Sequence, residues 1–435
     1  MTRQNRQSAF EIITLSNGLR IAYLKVSGTR LFHAGFTINT GSKNDENIPG
    51  LAHCLEHMLF KGTEKRKTIH VLNSMESVGG EINAFTTKEL TTIYGTSTSN
   101  NYIKLIDILC DVIFRSAFPV PELEKEKKVI LDEINMYLDT PEENIYDEFQ
   151  EMIFEGHPLA HNILGTPQSV EAIQQADLKA FVNKHYQPHN MVLSVIGNIS
   201  VERILKGLNQ FLPNETVIVS HTQNLIIDET KQSKAAQQGV EKTSKAFQKV
   251  PVFHQTKKTD FNQAYAIIGN YAYSANDKNR WSFSLLNHLL GGPSMNSRLN
   301  LAIREKYGYT YNVESGYATF EETGLFHCFV GSEPKYLQKS VDLIYKELEK
   351  LNQTILGSVQ LSRAKNQYVG QLIVSNENRP GLMIHMGQSL VKHNRITTIE
   401  EAIARIKEIT ADEIQASAKA IFQKDNFSSL LYLPA

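Results

Sequence analysis

The sequence is poor in cysteine and in long apolar runs, and both shortages limit what the protein can be. Only three of its 435 residues are cysteines, and no two of them form a Cys-x-x-Cys pair. Cys54, Cys110 and Cys328 therefore favour neither a disulfide framework nor a thiolate zinc site, which makes a reducing compartment the simplest expectation. No stretch approaches about 18 apolar residues, and the N-terminal MTRQNRQSAF has no apolar core. We therefore predict a cytoplasmic protein.

The sequence also has no excess of positive or negative charge, which argues against binding to nucleic acid or to an anionic membrane. The 45 basic and 46 acidic residues give a formal net charge of −1 at pH 7. Without an overall positive field, the chain has no general attraction for nucleic acid or for an anionic membrane. The sequence also has no P-loop and no Gly-x-Gly-x-x-Gly after a strand, as nucleotide-binding enzymes have. We expect neither nucleic acid nor membrane as a partner.

The stretch Leu51–Phe60 carries the clearest chemical signal and is predicted to form a short buried helix. His53 and His57 are four positions apart, so they lie one above the other on one helix face and can bind the same ion. Glu56 lies beside them. This His-x-x-Glu-His order is the inverzincin pattern, in which two histidines bind Zn²⁺ and the glutamate is a general base toward water. The alternative is an amphipathic helix with two unrelated histidines.

A third ligand is needed, because a catalytic zinc usually has three protein ligands and a water. The best source is the predicted helix from Glu122 to Leu138, which begins after Pro121 and is rich in carboxylates. Glu126 and Glu133 lie on one face of it, two turns or roughly 10 Å apart, so both cannot readily reach one ion. One can bind the ion and the other can support the site. The residues alone do not decide between them.

The motif together with a glutamate 76 positions after its second histidine (133 − 57) resembles the pitrilysin and mitochondrial processing peptidase family. The resemblance spans nearly the whole chain. In that family the residue at the position of Glu133 is the third zinc ligand, and the one at Glu126 helps to orient the site. The resemblance therefore implies one Zn²⁺ per chain, held by His53, His57 and Glu133.

The segment Gly80–Phe85, with the sequence GEINAF, is similar to an edge strand of the same family that pairs with extended substrate. The resemblance implies that Asn83, Ala84 and Phe85 bind a peptide through main-chain hydrogen bonds. Such binding adds the peptide to the sheet as a further β-strand.

The segment Ser297–Tyr311 is similar to a part of the family that carries an arginine and a tyrosine. Here these residues are Arg304 and Tyr311, which are seven positions apart. The resemblance implies that they donate hydrogen bonds to the substrate carbonyl and to the transition state. The alternative is an ordinary arginine at a helix end and an ordinary tyrosine in a strand.

Two carboxylates after Glu133 have positions that matter in the processing peptidases. Glu143 and Asp147 follow it by ten and fourteen residues, where the resemblance places carboxylates that meet a substrate arginine. It therefore implies a preference for a basic residue near the scissile bond. A spacing of four on an acidic helix is equally typical of a solvated face.

The chain is too long for one ordinary domain, since 435 residues suggest two or three. We predict a zinc-binding domain at 1–222 and a second domain at 251–435. The segment 223–250 between them is rich in Gln, Lys, Ser and Thr with few apolar positions, which is typical of a linker.

The two halves have matching segments, which indicates a duplicated domain. Asp177 and Asn190 correspond to Glu413 and Asn426 at a constant offset of 236 positions (413 − 177, 426 − 190), and in both places a helix precedes a strand. If the duplication is complete, Ser284–His288 takes the place of the histidine motif, without the first ligand and the base. Only the first half should then bind metal.

The resemblance implies an α+β fold of two homologous domains, each a mostly antiparallel sheet covered by helices. It also implies a zinc endopeptidase that cleaves unfolded peptides or presequence-like segments, bound as an added β-strand in a closed chamber of four domains. One chain supplies two domains, so we expect a homodimer. The rival is a catalytically silent binding or assembly subunit of a two-chain peptidase. Such subunits lose ligands or the base, whereas this chain has all four motif residues: His53, Glu56, His57 and Glu133.

Overall fold

Strands and helices alternate along the chain in two similar runs. The computed structural model describes residues 10–212, 219–225 and 247–435. The strands in this part of the chain are β1 Phe10–Leu15, β2 Arg20–Lys25, β3 Leu31–Ile38, β4 Glu81–Thr86, β5 Thr91–Thr98, β6 Met191–Gly197, β7 Val219–Leu225, β8 His254–Thr259, β9 Ala264–Ala272, β10 Thr310–Thr319, β11 Gly324–Ser332 and β12 Ser428–Pro434.

Helices account for most of the remaining described residues. They are α1 Leu51–Leu59, α2 Thr68–Glu76, α3 Tyr102–Phe114, α4 Val120–Leu138, α5 Pro141–Ile153, α6 Pro167–Ala172, α7 Gln175–His185, α8 Val201–Phe211, α9 Arg280–Gly291, α10 Pro334–Gln353, α11 Ser358–Asn376, α12 Arg379–His393, α13 Ile399–Glu408 and α14 Ala411–Ile421. None of them is long and apolar enough to span a membrane.

The elements form two compact units, neither of which is continuous in sequence. The first contains the described residues up to Asp132, those within His161–Lys245, and Asn376–Thr397. The second contains Glu133–Ala160, the described part of Ala246–Ser375, and Thr398–Ala435. The division passes through helix α4, which runs unbroken from one side of it to the other.

The predicted linker begins inside a strand. β7 ends at Leu225, so the first three residues of 223–250 belong to the first sheet. Residues 226–246 lie outside the described residues, and the predicted boundaries stay a prediction.

The first unit is built on a seven-stranded sheet in the order β4-β5-β3-β6-β2-β1-β7. Its neighbours are antiparallel except for the parallel pair β2 and β6. Helix α12 covers one face, although it is far away in sequence, and packs on β3 and β6. A glycine makes this close approach possible, because a Cβ on Gly387 would lie 2.5 Å from Thr37 Oγ1.

The second unit is built on a five-stranded sheet in the order β10-β11-β9-β12-β8. Its neighbours are antiparallel except for the parallel pair β12 and β8. Strand order and strand direction therefore match the run β4-β5-β3-β6-β2 of the first sheet. Helix α14 starts and ends 236 positions after α7 (411 − 175, 421 − 185), the offset found in the sequence. The predicted α+β fold of two similar, mostly antiparallel halves is confirmed.

Helix α5 belongs to the second unit although it precedes the middle of the chain. Ile145, Phe149 and Ile153 form a stripe at intervals of four, and all three are buried against β9, β11 and β12. A stripe with this spacing lies on one helix face, so α5 has to cover an apolar surface. The sequence shows that α5 needs an apolar surface to pack on. It does not show which sheet provides that surface.

Candidate metal centre

Helix α1 begins at Leu51, and a buried carboxylate holds its first turn. Asp45 Oδ2 accepts a hydrogen bond from the N–H of Gly50 at 2.8 Å, and Oδ1 accepts one from the N–H of Ala52 at 2.9 Å. The first N–H groups of a helix have no partner within the helix, so this carboxylate satisfies them. Burial raises the pKa of Asp45 to about 7, while the backbone N–H donors and the charge of Lys88 oppose the rise.

The backbone before α1 is held just as closely. Gly50 has φ +91°, and a Cβ there would lie 2.6 Å from the carbonyl oxygen of Leu164. Glycine is therefore required both by the backbone angle and by the contact. Ser169 Oγ also donates to the carbonyl oxygen of Pro49 at 2.7 Å. The direction of the helix is fixed before its first turn.

The two motif histidines lie next to each other on α1 and meet a carboxylate from α4. The ring centroids of His53 and His57 are 4.6 Å apart. His53, His57 and Glu133 each offer one ligand atom, and these atoms lie within 4.8 Å of one another, the one such group found among the described residues. The structure thus brings together the three residues that the resemblance implied as ligands.

This set of donor atoms fits a zinc ion. Two imidazole nitrogens and one carboxylate oxygen are the protein ligands of many catalytic zinc sites, which keep a further position for water. Burial and, to a smaller extent, the neighbouring His57 lower the pKa of His53 to about 3. A neutral imidazole is the form that binds a metal, so His53 is in that form at neutral pH.

Glu126 lies behind one of the histidines. Its Oε2 is 3.2 Å from His57 Nδ1, and its Oε1 is 2.7 Å from Lys61 Nζ. Glu126 is only 6% exposed, so the lysine compensates a buried charge. A carboxylate on Nδ1 leaves Nε2 of the same ring for an ion, as expected of a residue that orients a ligand.

The predicted base and the predicted peptide-binding strand lie side by side. Glu56 Oε2 accepts a hydrogen bond of 2.6 Å from Thr86 Oγ1 at the end of β4. β4 is the edge strand of its sheet and carries Asn83, Ala84 and Phe85, which face β5 with their main chains. The other edge of β4 pairs with no strand in the described part of the chain.

The remaining predicted residues are all in the second unit. Glu143 and Asp147 lie on α5. Burial raises the pKa of Tyr137, and the negative charges of Glu143, Glu133 and Asp147 add to this rise. Arg304 lies in the π-helical turn Asn300–Glu305. Tyr311 lies in β10 and is 92% exposed. Their proposed roles stay predictions.

The counterpart of the motif helix in the second unit is α9, which follows β9 as α1 follows β3. His288 is buried there, its pKa is lowered by burial, and its ring stacks on Tyr368 with centroids 4.9 Å apart. A cavity of about 270 Å³ lies between α9 and β10. No group of three metal-binding side chains includes His288 within the ranges that the structure describes. The expectation that only the first half binds metal stays a prediction.

Sequence reasoning missed two residues of the site. Asp45 carries a signal that could have been found, since an acidic residue just before a predicted buried helix is a candidate for satisfying its N–H groups. Thr86 carries none, because its contact with Glu56 joins residues 30 positions apart across two elements.

Comparison with known proteins shows which family the chain is similar to. The family model described as "Insulinase (Peptidase family M16)" matches residues 20–167, and "Peptidase M16 inactive domain" matches residues 172–368. An uncharacterized zinc protease of Bacillus subtilis is 29% identical over 96% of this chain and 97% of its own length. Another, of Streptomyces coelicolor, is 30% identical over 94% of this chain and 86% of its own length.

Two solved structures share the fold. A protease from Helicobacter pylori has a TM-score of 0.85 at 18% identity, over 98% of this chain and 100% of its own. A peptidase M16 inactive domain from Pseudomonas fluorescens has a TM-score of 0.84 at 19% identity, over 98% of both chains. Identities this low support the fold only.

Measurements of zinc binding can distinguish the roles of the two carboxylates of α4, Glu126 and Glu133. We expect Glu133→Gln to abolish stoichiometric zinc binding, because it removes a ligand, and Glu126→Gln to weaken it about 10- to 100-fold, because it only frees His57. Metal analysis and chelator competition measure both. Glu124→Gln is the control, since its exposed side chain on the same helix pairs with Lys127. Loss of zinc from Glu126→Gln with wild-type binding by Glu133→Gln would reverse the assignment.

Proposed function

The chain belongs to the insulinase-related M16 family of peptidases, and from its site we propose that it is a zinc-dependent endopeptidase. Its substrates would be unfolded peptides or presequence-like segments. One observation carries the proposal, namely that His53, His57 and Glu133 converge next to Glu56, which lies on the same helix as the two histidines. The described part of the chain contains one such group, which supports one zinc ion per chain.

The residues of the chain divide the chemistry among them. When bound by His53, His57 and Glu133, zinc would supply Lewis-acid activation of water and of the scissile carbonyl. Glu56 takes the proton of the attacking water and later gives it to the leaving amine nitrogen. Glu126 keeps the His57 ring in the orientation that exposes Nε2 to the ion. Arg304 and Tyr311 are proposed to stabilise the charge that develops on the carbonyl oxygen.

The edge strand explains why the substrate should be unfolded. A peptide can pair with the outer edge of β4 only if its own main chain is extended and unpaired. Folded proteins protect such strands inside their sheets. Asn83, Ala84 and Phe85 would hold the peptide through main-chain hydrogen bonds, beside the base at the end of the same strand.

The rival function is that of a catalytically silent binding or assembly subunit. The match described as an inactive domain covers residues 172–368, whereas the ligands and the base fall within the match at 20–167. All four motif residues are present, and three of them converge in the structure. These observations favour the enzyme over the silent subunit.

We also propose a cytoplasmic location. All three cysteines are free and buried, and none pairs with another. Proteins of oxidising compartments more often use their cysteines in disulfides.

Replacement of the base separates catalysis from metal binding. We expect Glu56→Gln to keep zinc and the fold but to lower kcat about 10²- to 10⁴-fold, because an amide cannot accept the proton. Metal analysis, thermal unfolding and a fluorogenic peptide assay measure the three properties. Retention of more than about a tenth of wild-type kcat would rule out the general-base role.

The acidic residues of α5 would set a preference for basic substrates. We expect wild type to cleave a mixed peptide library with Arg or Lys enriched near the scissile bond, and Glu143→Gln/Asp147→Asn to lose this enrichment, because the opposite charge is removed. Mapping of cleavage sites by mass spectrometry decides it. Glu151→Gln, an exposed residue of the same helix, should change nothing. No enrichment in wild type would end the idea.

We propose that the active unit is a homodimer in which Arg304 and Tyr311 of one chain complete the zinc site of the other. The exposure of Tyr311 supports this, since a side chain that is 92% exposed is available to a second chain. A two-fold dimer would bring each second half opposite the partner's first half. One sequence then supplies every part that a closed chamber needs.

Mixing of two inactive variants tests this arrangement. Glu56→Gln and Arg304→Ala should each be nearly inactive alone. After random exchange at equal amounts, half of the dimers are mixed and one of their two sites is intact, so roughly a quarter of wild-type activity should return. Native mass spectrometry must show that exchange took place. Exchange without any activity above the two parents would mean that the pair does not act across the dimer.

A further inference from the structure

The predicted base has a hydrogen-bond donor that the chemistry described above does not use. Thr86 Oγ1 donates to Glu56 Oε2 at 2.6 Å. A hydroxyl bound to a carboxylate makes a short, charge-assisted bond, stronger than a bond between neutral groups. The bond also joins two elements, because Glu56 is on α1 and Thr86 is the last residue of edge strand β4.

The position of Thr86 is fixed by the turn that follows it. In this turn the N–H of Thr87 donates to the carbonyl oxygen of Leu90 at 2.8 Å. The N–H groups of Ser42 and Lys43 donate to the carbonyl oxygens of Thr87 and Lys88 at 3.1 and 2.9 Å. The Thr86 hydroxyl is therefore presented by a rigid support and not by a mobile chain end.

The segment that holds this turn also holds helix α1. Ser42 and Lys43 bind the turn, and Asp45, two residues later, accepts hydrogen bonds from the first N–H groups of α1. One short stretch of chain thus sets the distance between the strand that carries Thr86 and the helix that carries Glu56. A donor and an acceptor held from one support need little reorganisation when a reaction begins.

We propose that Thr86 is a positioning residue for the base, which it holds through Glu56 Oε2 so that Oε1 faces the attacking water. This inference rests on the proposed peptidase function. A carboxylate without a donor can turn about its last side-chain bond and present either oxygen in several directions. The proton of the water then passes to Oε1 and from there to the leaving nitrogen, while the bond from Thr86 to Oε2 stays in place.

Variants of Thr86 can show whether it positions the base or only supports the fold. We expect Thr86→Val, which keeps the shape and removes the hydroxyl, to lower kcat about 10- to 100-fold with KM changed less than about threefold, since the base is misaligned only after binding. Zinc content and thermal unfolding should equal those of wild type. Thr86→Ser, which restores a hydroxyl, should return kcat to within about threefold of wild type.

A matched threonine provides the control. Thr91 pairs with Thr86 across the two strands, but its hydroxyl donates to the carbonyl oxygen of Thr40 at 3.0 Å. Thr91→Val removes a hydroxyl that bonds to the backbone of Thr40 and not to Glu56, so kcat should stay within about twofold of wild type. If Thr86→Val does not fold, the comparison of Thr86→Ser with Thr86→Ala decides in its place. Wild-type kcat without the hydroxyl, or equal losses in the Val and Ser variants, overturns the proposal.

The same experiments distinguish this failure from failure of the proposed function. If Glu56→Gln is inactive while Thr86→Val has wild-type kcat, the peptidase stands and only the role of Thr86 is wrong. If Glu56→Gln keeps wild-type activity, the base assignment fails, and Thr86 has no base to position.

Discussion

The candidate metal centre depends on one constraint, which is that helix α1 has to be held rigidly at its N-terminus. The helix has nine residues, and a helix of that length is marginal in water by itself. Asp45 satisfies two of its first N–H groups, and Gly50 lies against the backbone of Leu164. Seven of the nine residues are buried. The orientation of the two imidazoles therefore comes from tertiary contacts and not from helix propensity.

Two buried glutamates near the site, Glu126 and Glu89, each pair with lysine side chains. Glu126 meets His57 and Lys61, and Glu89, which is 5% exposed, pairs with Lys43 at 3.0 Å and Lys392 at 2.8 Å. Replacing one partner of such a pair lowers the stability of the fold by more than the pair contributes, because the remaining charge is then buried without a partner. The pair with Lys392 links the turn after β4 to helix α12. The support of the site thus includes a residue from the last quarter of the sequence.

The two similar halves carry different side chains at the same place in the fold. Both sheets have the same order over five strands, with one parallel pair in the same place. Yet α1 presents two histidines and a glutamate, whereas α9 presents His288 stacked on Tyr368. The shared fold therefore does not by itself assign a function to either half, and any chemistry has to be argued from the side chains at each place.

The sequence by itself determined which residues are candidates for the site and where most of the local elements lie. A spacing of four places His53 and His57 on one helix face wherever the helix lies, and short runs rich in apolar residues favour strands. The constant offset of 236 positions between matching segments likewise indicated from the sequence alone that the domain is duplicated. Only the tertiary structure decided that Glu133 lies with the imidazoles while Glu126 lies behind one of them.

Tertiary structure also decided which helix covers which sheet and that Thr86 reaches Glu56. The apolar stripe of α5 shows that the helix is buried, but many apolar surfaces could receive it, so its place on the second sheet is not encoded locally. The same holds for α12 on the first sheet. Periodicity fixes the faces of an element because it depends on neighbouring residues. Partners distant in sequence are fixed only by how all the surfaces pack together.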